Sequence, residues 1–385
     1  MENQGIKSTI AVHAKYHAFR LAEGLHKMGI LDRIYTPVPK FKLTSYDLPK
    51  RAIKSFWLLG ALKYLNLRLG RVVSDDALTG FFDRWVSFSL KRPAEQWVFT
   101  AYSGYCERSI TKAKELGAVA CVERSCPHID FQTELVGEEK SILLKRKEPA
   151  MQNPVWERMK REYEIADYII TPSNYSRNSF LERGFDPSKI LITPLCNEKR
   201  VVLRGGVKRY PEQFTVLCVG GNFYRKGIVY LLQAWKMLGL NGAKLIIKGE
   251  VPPEFSNLTA LPGVEIVREH LSEKELEDFY NRATLLVLPS IDDGFGMVVV
   301  EAMSIGLPVI ITKNVGAADI IKDGEEGFVV PIRDASAIAE KILFFREHPE
   351  KVEAMGRKAI GTAKDYTPER YAERVAKVYK KIFTK

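Results

Sequence analysis

Long apolar runs are missing from this chain, and no stretch approaches the ~20 consecutive apolar residues needed to cross a bilayer. The N-terminus also lacks the charged-then-apolar pattern of a secretory leader, so a cytoplasmic protein is expected, with the inner face of the membrane within its reach. Cysteine is scarce and irregularly spaced. Of the five present, Cys121 and Cys126 are too far apart for a tight metal knuckle, and Cys218 lies in an apolar run that reads as core. Reduced thiols follow. Acidic clusters are few as well: Asp292-Asp293 alone is too little to cage Mg²⁺, so no metal and no other cofactor is expected. Zinc-finger and RNA-binding signatures are absent, which argues against nucleic acid as the partner of a chain with net charge +11.

What is there belongs to a globular protein, with 46% apolar and 27% charged residues. The 385 residues exceed one ordinary domain of roughly 100–200 residues, so two domains are expected. Basic residues gather between Lys40 and Arg92, interleaved with apolar ones, as in Ile53-Lys-Ser-Phe-Trp-Leu-Leu-Gly-Ala-Leu-Lys-Tyr-Leu. Such a segment can lie on an anionic membrane surface. The plainer alternative is a helix packed on the core with a solvated basic edge.

Short β-branched runs alternate with helical patterns along most of the chain. Strands are predicted at 9–13, 96–100, 119–122, 168–171 and 190–193, then at 214–219, 244–247, 285–288, 308–311 and 327–330. Helices are predicted between them, among them 16–28, 106–116, 173–183, 228–238, 273–283, 298–305 and 335–346. The periodicity stops over 196–213, which reads as a linker. Strands joined by helical crossovers make parallel sheets covered on both faces. The expectation is therefore α/β: two doubly wound Rossmann-like domains, 1–195 and 214–365, facing each other across a cleft.

Two loops carry the chemistry. The first, Gly220-Gly221-Asn-Phe-Tyr-Arg225-Lys226-Gly227, leaves a strand and enters a helix, where free backbone N–H groups and the helix dipole suit a phosphate. Arg225 and Lys226 add formal charge, although a solvated basic turn would look the same. The second loop is Asp293-Gly294-Phe295-Gly296-Met297, followed by Glu301 about two turns on at ~3.6 residues per turn. Its glycines allow close backbone approach. A carboxylate set among apolar residues, as Glu301 is, needs a partner in the core or hydroxyls such as those of a ribose.

These segments, with Glu162-Tyr-Glu-Ile-Ala-Asp167-Tyr-Ile-Ile-Thr-Pro-Ser173, Gly306-Leu-Pro-Val-Ile310 and Asp323-Gly-Glu-Glu-Gly-Phe328, resemble the GT-B glycosyltransferases of retaining glycosyltransferase family 4. The resemblance implies transfer of a sugar from a nucleoside-diphosphate sugar, with a uridine diphosphate as first choice, to a glycan, lipid-linked or small-molecule acceptor. It implies retention of anomeric configuration, no metal, and a last helix at about 366–385 that packs back on the N-terminal domain.

In that family a Glu, seven residues and a second Glu form the donor motif. The second holds the ribose, which carries over to Glu301. The first, near the donor sugar, corresponds to the shorter Asp293. Backbone amides of Phe295, Gly296 and Met297 would face the sugar and phosphate. Gly221 stands where the family usually has Arg, so Arg225 and Lys226 would carry the diphosphate. The resemblance gives His128 a place close to the donor sugar, with a structural histidine as the alternative. Lys15 and His17 would meet acceptor or diphosphate, or else serve packing. Glu123 and Arg124 would pair with each other or with substrate. Two other readings stay open: a sugar-nucleotide epimerase or hydrolase on this fold, and a non-catalytic binding module.

Overall fold

Apolar strands organise the molecule, whose computed structural model describes residues 5–69, 73–148, 153–197, 212–269 and 271–384. Two parallel sheets appear among them. The first contains β1 (Ile6–Ala11), β2 (Leu31–Thr36), β3 (Ile53–Ser55), β4 (Gln96–Tyr102), β5 (Val119–Glu123), β6 (Tyr168–Thr171) and β7 (Ile190–Ile192). Their spatial order is β3-β2-β1-β4-β5-β6-β7. The second contains β8 (Thr215–Val219), β9 (Lys244–Lys248), β10 (Val264–Val267), β11 (Leu285–Leu288), β12 (Val309–Thr312) and β13 (Gly327–Val330). Its order is β10-β9-β8-β11-β12-β13.

Strands β11 and β12 are buried at every residue, as strands with helices on both faces must be. Both sheets reverse their winding once, between β1 and β4 in the first and between β8 and β11 in the second. At such a reversal the crossovers leave to opposite faces, and a crevice opens beyond the carboxyl ends of the strands.

The predicted strands are present. Strands β2, β3 and β10 are additional, and the apolar-basic stretch from Ile53 divides into β3 and a helix, Trp57–Arg68. Of the expected linker, residues 198–211 lie outside the described residues. The last helix, Pro368–Phe383, buries Tyr371, Ala372, Val375, Ala376 and Tyr379 at helical spacing. It lies against the helix Ala18–Lys27. Two contacts fasten it to the first domain: Tyr379 shares a 2.7 Å hydrogen bond with Thr100, and Arg374 Nη2 donates to the Pro194 carbonyl at 3.0 Å. No helix among the described residues is long and apolar enough to cross a membrane.

Candidate functional site

The reversal point of the second sheet brings the two sequence motifs together. Strand β8 runs into the 220–227 turn and β11 into the loop that ends at Gly296. Gly227 adopts a φ of 59°, and a Cβ there would sit 2.1 Å from the Pro289 carbonyl oxygen, so only glycine lets the two loops touch. The Arg225 carbonyl accepts the backbone N–H of Ile291 at 2.9 Å and of Asp292 at 3.2 Å, which stitches them further. Helices Ile228–Leu238 and Met297–Ser304 start after Gly227 and Gly296, neither with a side-chain cap. Both positive helix ends therefore follow the carboxyl ends of adjacent strands, β8 and β11.

One expectation changes at the first of these ends. The amides of Lys226, Gly227 and Ile228 donate to the carbonyls of Asn222, Tyr224 and Phe223. The turn consumes the N–H groups expected to meet a phosphate, and the Lys226 side chain is left as its contribution. Gly220 lies beneath that side chain, whereas Gly221 is exposed with nothing near its Cβ position.

The Lys226 ammonium forms an ion pair with the Asp293 carboxylate. Burial raises the Asp293 pKa, but Lys226, Arg225 and the Phe295 backbone N–H outweigh it and hold the carboxyl below its usual range. The Phe295 amide thus serves Asp293. Arg225 is also committed: its Nε donates to Asp292 at 2.7 Å and its Nη2 reaches Cys126 Sγ at 3.3 Å. With these contacts it braces the wall between the loops. Glu301 is buried on the Met297–Ser304 helix, where the Tyr280 hydroxyl donates to its Oε2 at 2.7 Å.

The first domain closes on these loops. Asp292, fully buried, accepts from Gln132 Nε2 at 2.6 Å and from the Tyr175 hydroxyl at 2.9 Å. The Gly294 carbonyl accepts from Ser173 Oγ at 2.7 Å and Ser176 Oγ at 3.2 Å. A Cβ on Gly294 would lie 2.1 Å from the Ser125 carbonyl oxygen. Asp292 and Gly294 are therefore packed against the other domain. Gln132 and Tyr175 carried no sequence signal, and Ser173 was legible only as the end of the Glu162–Ser173 segment and the start of a predicted helix.

At the ends of β1 and β5, His17 is hydrogen-bonded to Glu123, and Ser125 Oγ donates to the same carboxylate at 3.3 Å. Arg124 turns away from Glu123 and donates to the Pro127 carbonyl at 3.0 Å and to Gln132 Oε1 at 2.8 Å. Lys15 is exposed, its ammonium 5.2 Å from the Tyr46 ring centre. His128 caps the helix Ile129–Leu144, its Nδ1 accepting the Asp130 N–H at 3.2 Å. Tyr163, Phe180 and Phe185 surround its ring, and burial lowers its pKa to about 4. These contacts are those of the structural-histidine alternative, with the ring set among aromatic side chains.

A cavity of about 450 Å³ opens beside these loops, lined by His13, Tyr16, Lys63, Asn66, Tyr105 and Trp156 among others. Burial, with Lys63 nearby, holds His13 well below its usual pKa. Among the described residues no three His, Cys, Asp or Glu side chains gather as metal ligands.

Residues 202–362 match the family model of glycosyl transferases group 1. The second domain is a group 1 glycosyl transferase domain. Over 140 residues this chain is 36% identical to the capsular polysaccharide biosynthesis glycosyltransferase CapM of Staphylococcus aureus, a match covering 34% of this chain and 36% of CapM. An uncharacterized glycosyltransferase of Methanocaldococcus jannaschii is 29% identical over 220 residues, 56% of this chain and 60% of that one. The matched stretches thus span about one to two thirds of these relatives. Anabaena HepE, solved in complex with UDP-glucose, superposes with a TM-score of 0.65 over 98% of this chain and 100% of its own, at 12% identity. A likeness at that identity shows the fold, which is GT-B.

Proposed function

We propose that this group 1 domain and its partner domain form a glycosyltransferase that moves a sugar from a nucleoside-diphosphate sugar to an acceptor, with retention and without a metal. One observation carries the reading: Lys226, Asp293 and the Glu301 helix converge where the second sheet reverses, with two uncapped helix ends. Glu301, oriented by Tyr280, accepts hydrogen bonds from the ribose diol. The diphosphate draws Lys226 away from Asp293, and the ammonium then neutralises the charge that grows as the anomeric bond breaks. Asp293, relieved of Lys226, accepts from donor-sugar hydroxyls. Gly296 and Met297, at the head of their helix, offer N–H groups to the phosphate.

The acceptor enters from the cavity around His13 and Tyr16, and domain contact at Gly294 keeps water out. A glycan or lipid-linked acceptor fits this arrangement, and a uridine nucleotide is the first donor to try because HepE was solved with UDP-glucose.

The test is to incubate the protein with a panel of sugar nucleotides and acceptors, with and without EDTA. Glycosylated product and acceptor-dependent release of nucleoside diphosphate, unchanged by EDTA, are expected. Release without an acceptor would make the protein a hydrolase. Tight binding without turnover would make it a binding module.

A further inference from the structure

A helix on a soluble domain normally turns its apolar stripe inward. Helix Trp57–Arg68 does the reverse. Leu59, Lys63 and Asn66, spaced four and three apart, face the protein, and Asn66 is pinned there by hydrogen bonds to both the N–H and the carbonyl of Val73 at 2.8 and 2.7 Å. That rotation forces Trp57, Leu58, Leu62, Tyr64, Leu65 and Leu69 outward, at 57, 57, 39, 53, 50 and 68% exposure.

The exposure is concentrated in one region. Of the thirteen large apolar side chains exposed among the described residues, nine lie between Phe41 and Phe88. Five of these nine lie on the outward face of this one helix and Leu69 directly follows it, and an exposed apolar face of that kind marks an interaction surface. Its charge selects the partner. Residues 40–92 hold eleven Lys or Arg against four Asp, a net +7 out of the chain's +11. Exposed aromatics stand next to this charge: Phe41 sits between Lys40 and Lys42, and the Arg68 guanidinium lies 5.1 Å from the Tyr64 ring centre. Two copies meeting through this face would bring like charges together. A negatively charged bilayer meets both the apolar stripe and its basic rim.

We infer that the outward face of helix Trp57–Arg68 docks this protein on an anionic membrane surface, its apolar stripe sunk in the headgroup region and its basic neighbours on the lipid charges. Lys63 and Asn66 on the opposite face line the cavity beside the cleft, so docking sets that cavity next to the bilayer. This inference stands on the surface alone and is independent of the donor site.

The test is sedimentation of the full chain with phosphatidylcholine vesicles, with and without phosphatidylglycerol. Binding that requires phosphatidylglycerol and falls with salt is expected. The triple variant Leu58→Ser, Leu62→Ser, Leu65→Ser should lose roughly tenfold or more in vesicle affinity. These side chains are exposed, and the circular dichroism of the variant should match that of the parent. Failure of the parent to bind phosphatidylglycerol vesicles, or equal binding by the variant, would overturn the inference. So would a dimer, seen by sedimentation equilibrium, that the variant abolishes, because a second copy would then be the occupant.

Discussion

Lys226 and Asp293 neutralise each other at the point where the two motif loops meet, both largely shielded from solvent. In the donor site proposed above, a diphosphate would have to compete for the lysine, and the carboxylate would become available to a sugar only when it succeeds.

Removing one member of this pair should cost more than removing both. Lys226→Ala leaves a shielded carboxylate unpaired, and a loss of about 3 kcal/mol in urea unfolding is expected. Asp293→Ala should cost a similar amount. The double variant should recover at least half of the loss while remaining inactive in nucleoside diphosphate release. Additive losses would show that the pair is not coupled.

Gly294→Ala tests domain contact separately from donor binding. The new methyl group would run into the Ser125 carbonyl, and that conflict disappears if the domains stay apart. Transfer should fall by roughly a hundredfold as the reacting groups lose alignment, while affinity for the nucleoside diphosphate stays within a few fold. Equal loss of both would place Gly294 against the ligand.

Tyr280→Phe removes the hydroxyl that orients Glu301. A hydrogen bond to a charged group is worth about 1.5–3 kcal/mol, so KM for the donor should rise roughly tenfold or more with little change in kcat. A fall in kcat at constant KM would move Tyr280 into the chemical step.

His128 should make the protein sensitive to acid. Its pKa is about 4 in the folded state against an ordinary value of 6.5, so the unfolded chain takes up the proton first. The stability contribution is complete above pH 6.5 and is lost as pH falls toward 4. The two values give about 2 kcal/mol lost between pH 7.5 and 5. His128→Asn keeps a capping side chain and should remove that part of the slope in pH-dependent urea unfolding. An unchanged slope would put the histidine in contact with solvent.

The sequence made the second domain legible because its strands are uniformly apolar and its loops carry glycines at strand-helix junctions. Strand β2, Leu31-Asp-Arg-Ile-Tyr-Thr36, was hidden by its two charged residues, and β3 by its continuity with an apolar-basic helix. Local reading placed Lys226 and Asp293 on the two loops that the structure brings together, and Glu301 on the helix that follows the second. It could not show that Arg225 turns to Asp292, or that Gly294 meets Ser125, because those contacts join residues far apart in the chain. His128 looked functional from its position after β5, yet the aromatic residues that enclose it come from two other helices and the loop that follows them.

In the proposed site Glu301 and Lys226 hold one nucleotide, and calorimetric titration with a panel of nucleoside diphosphates tests this most directly. One nucleoside diphosphate should bind at one site per chain, with affinity lost in Glu301→Gln and weakened at least tenfold in Lys226→Ala. Binding that both variants retain in full, or no binding by any member of the panel, would contradict it.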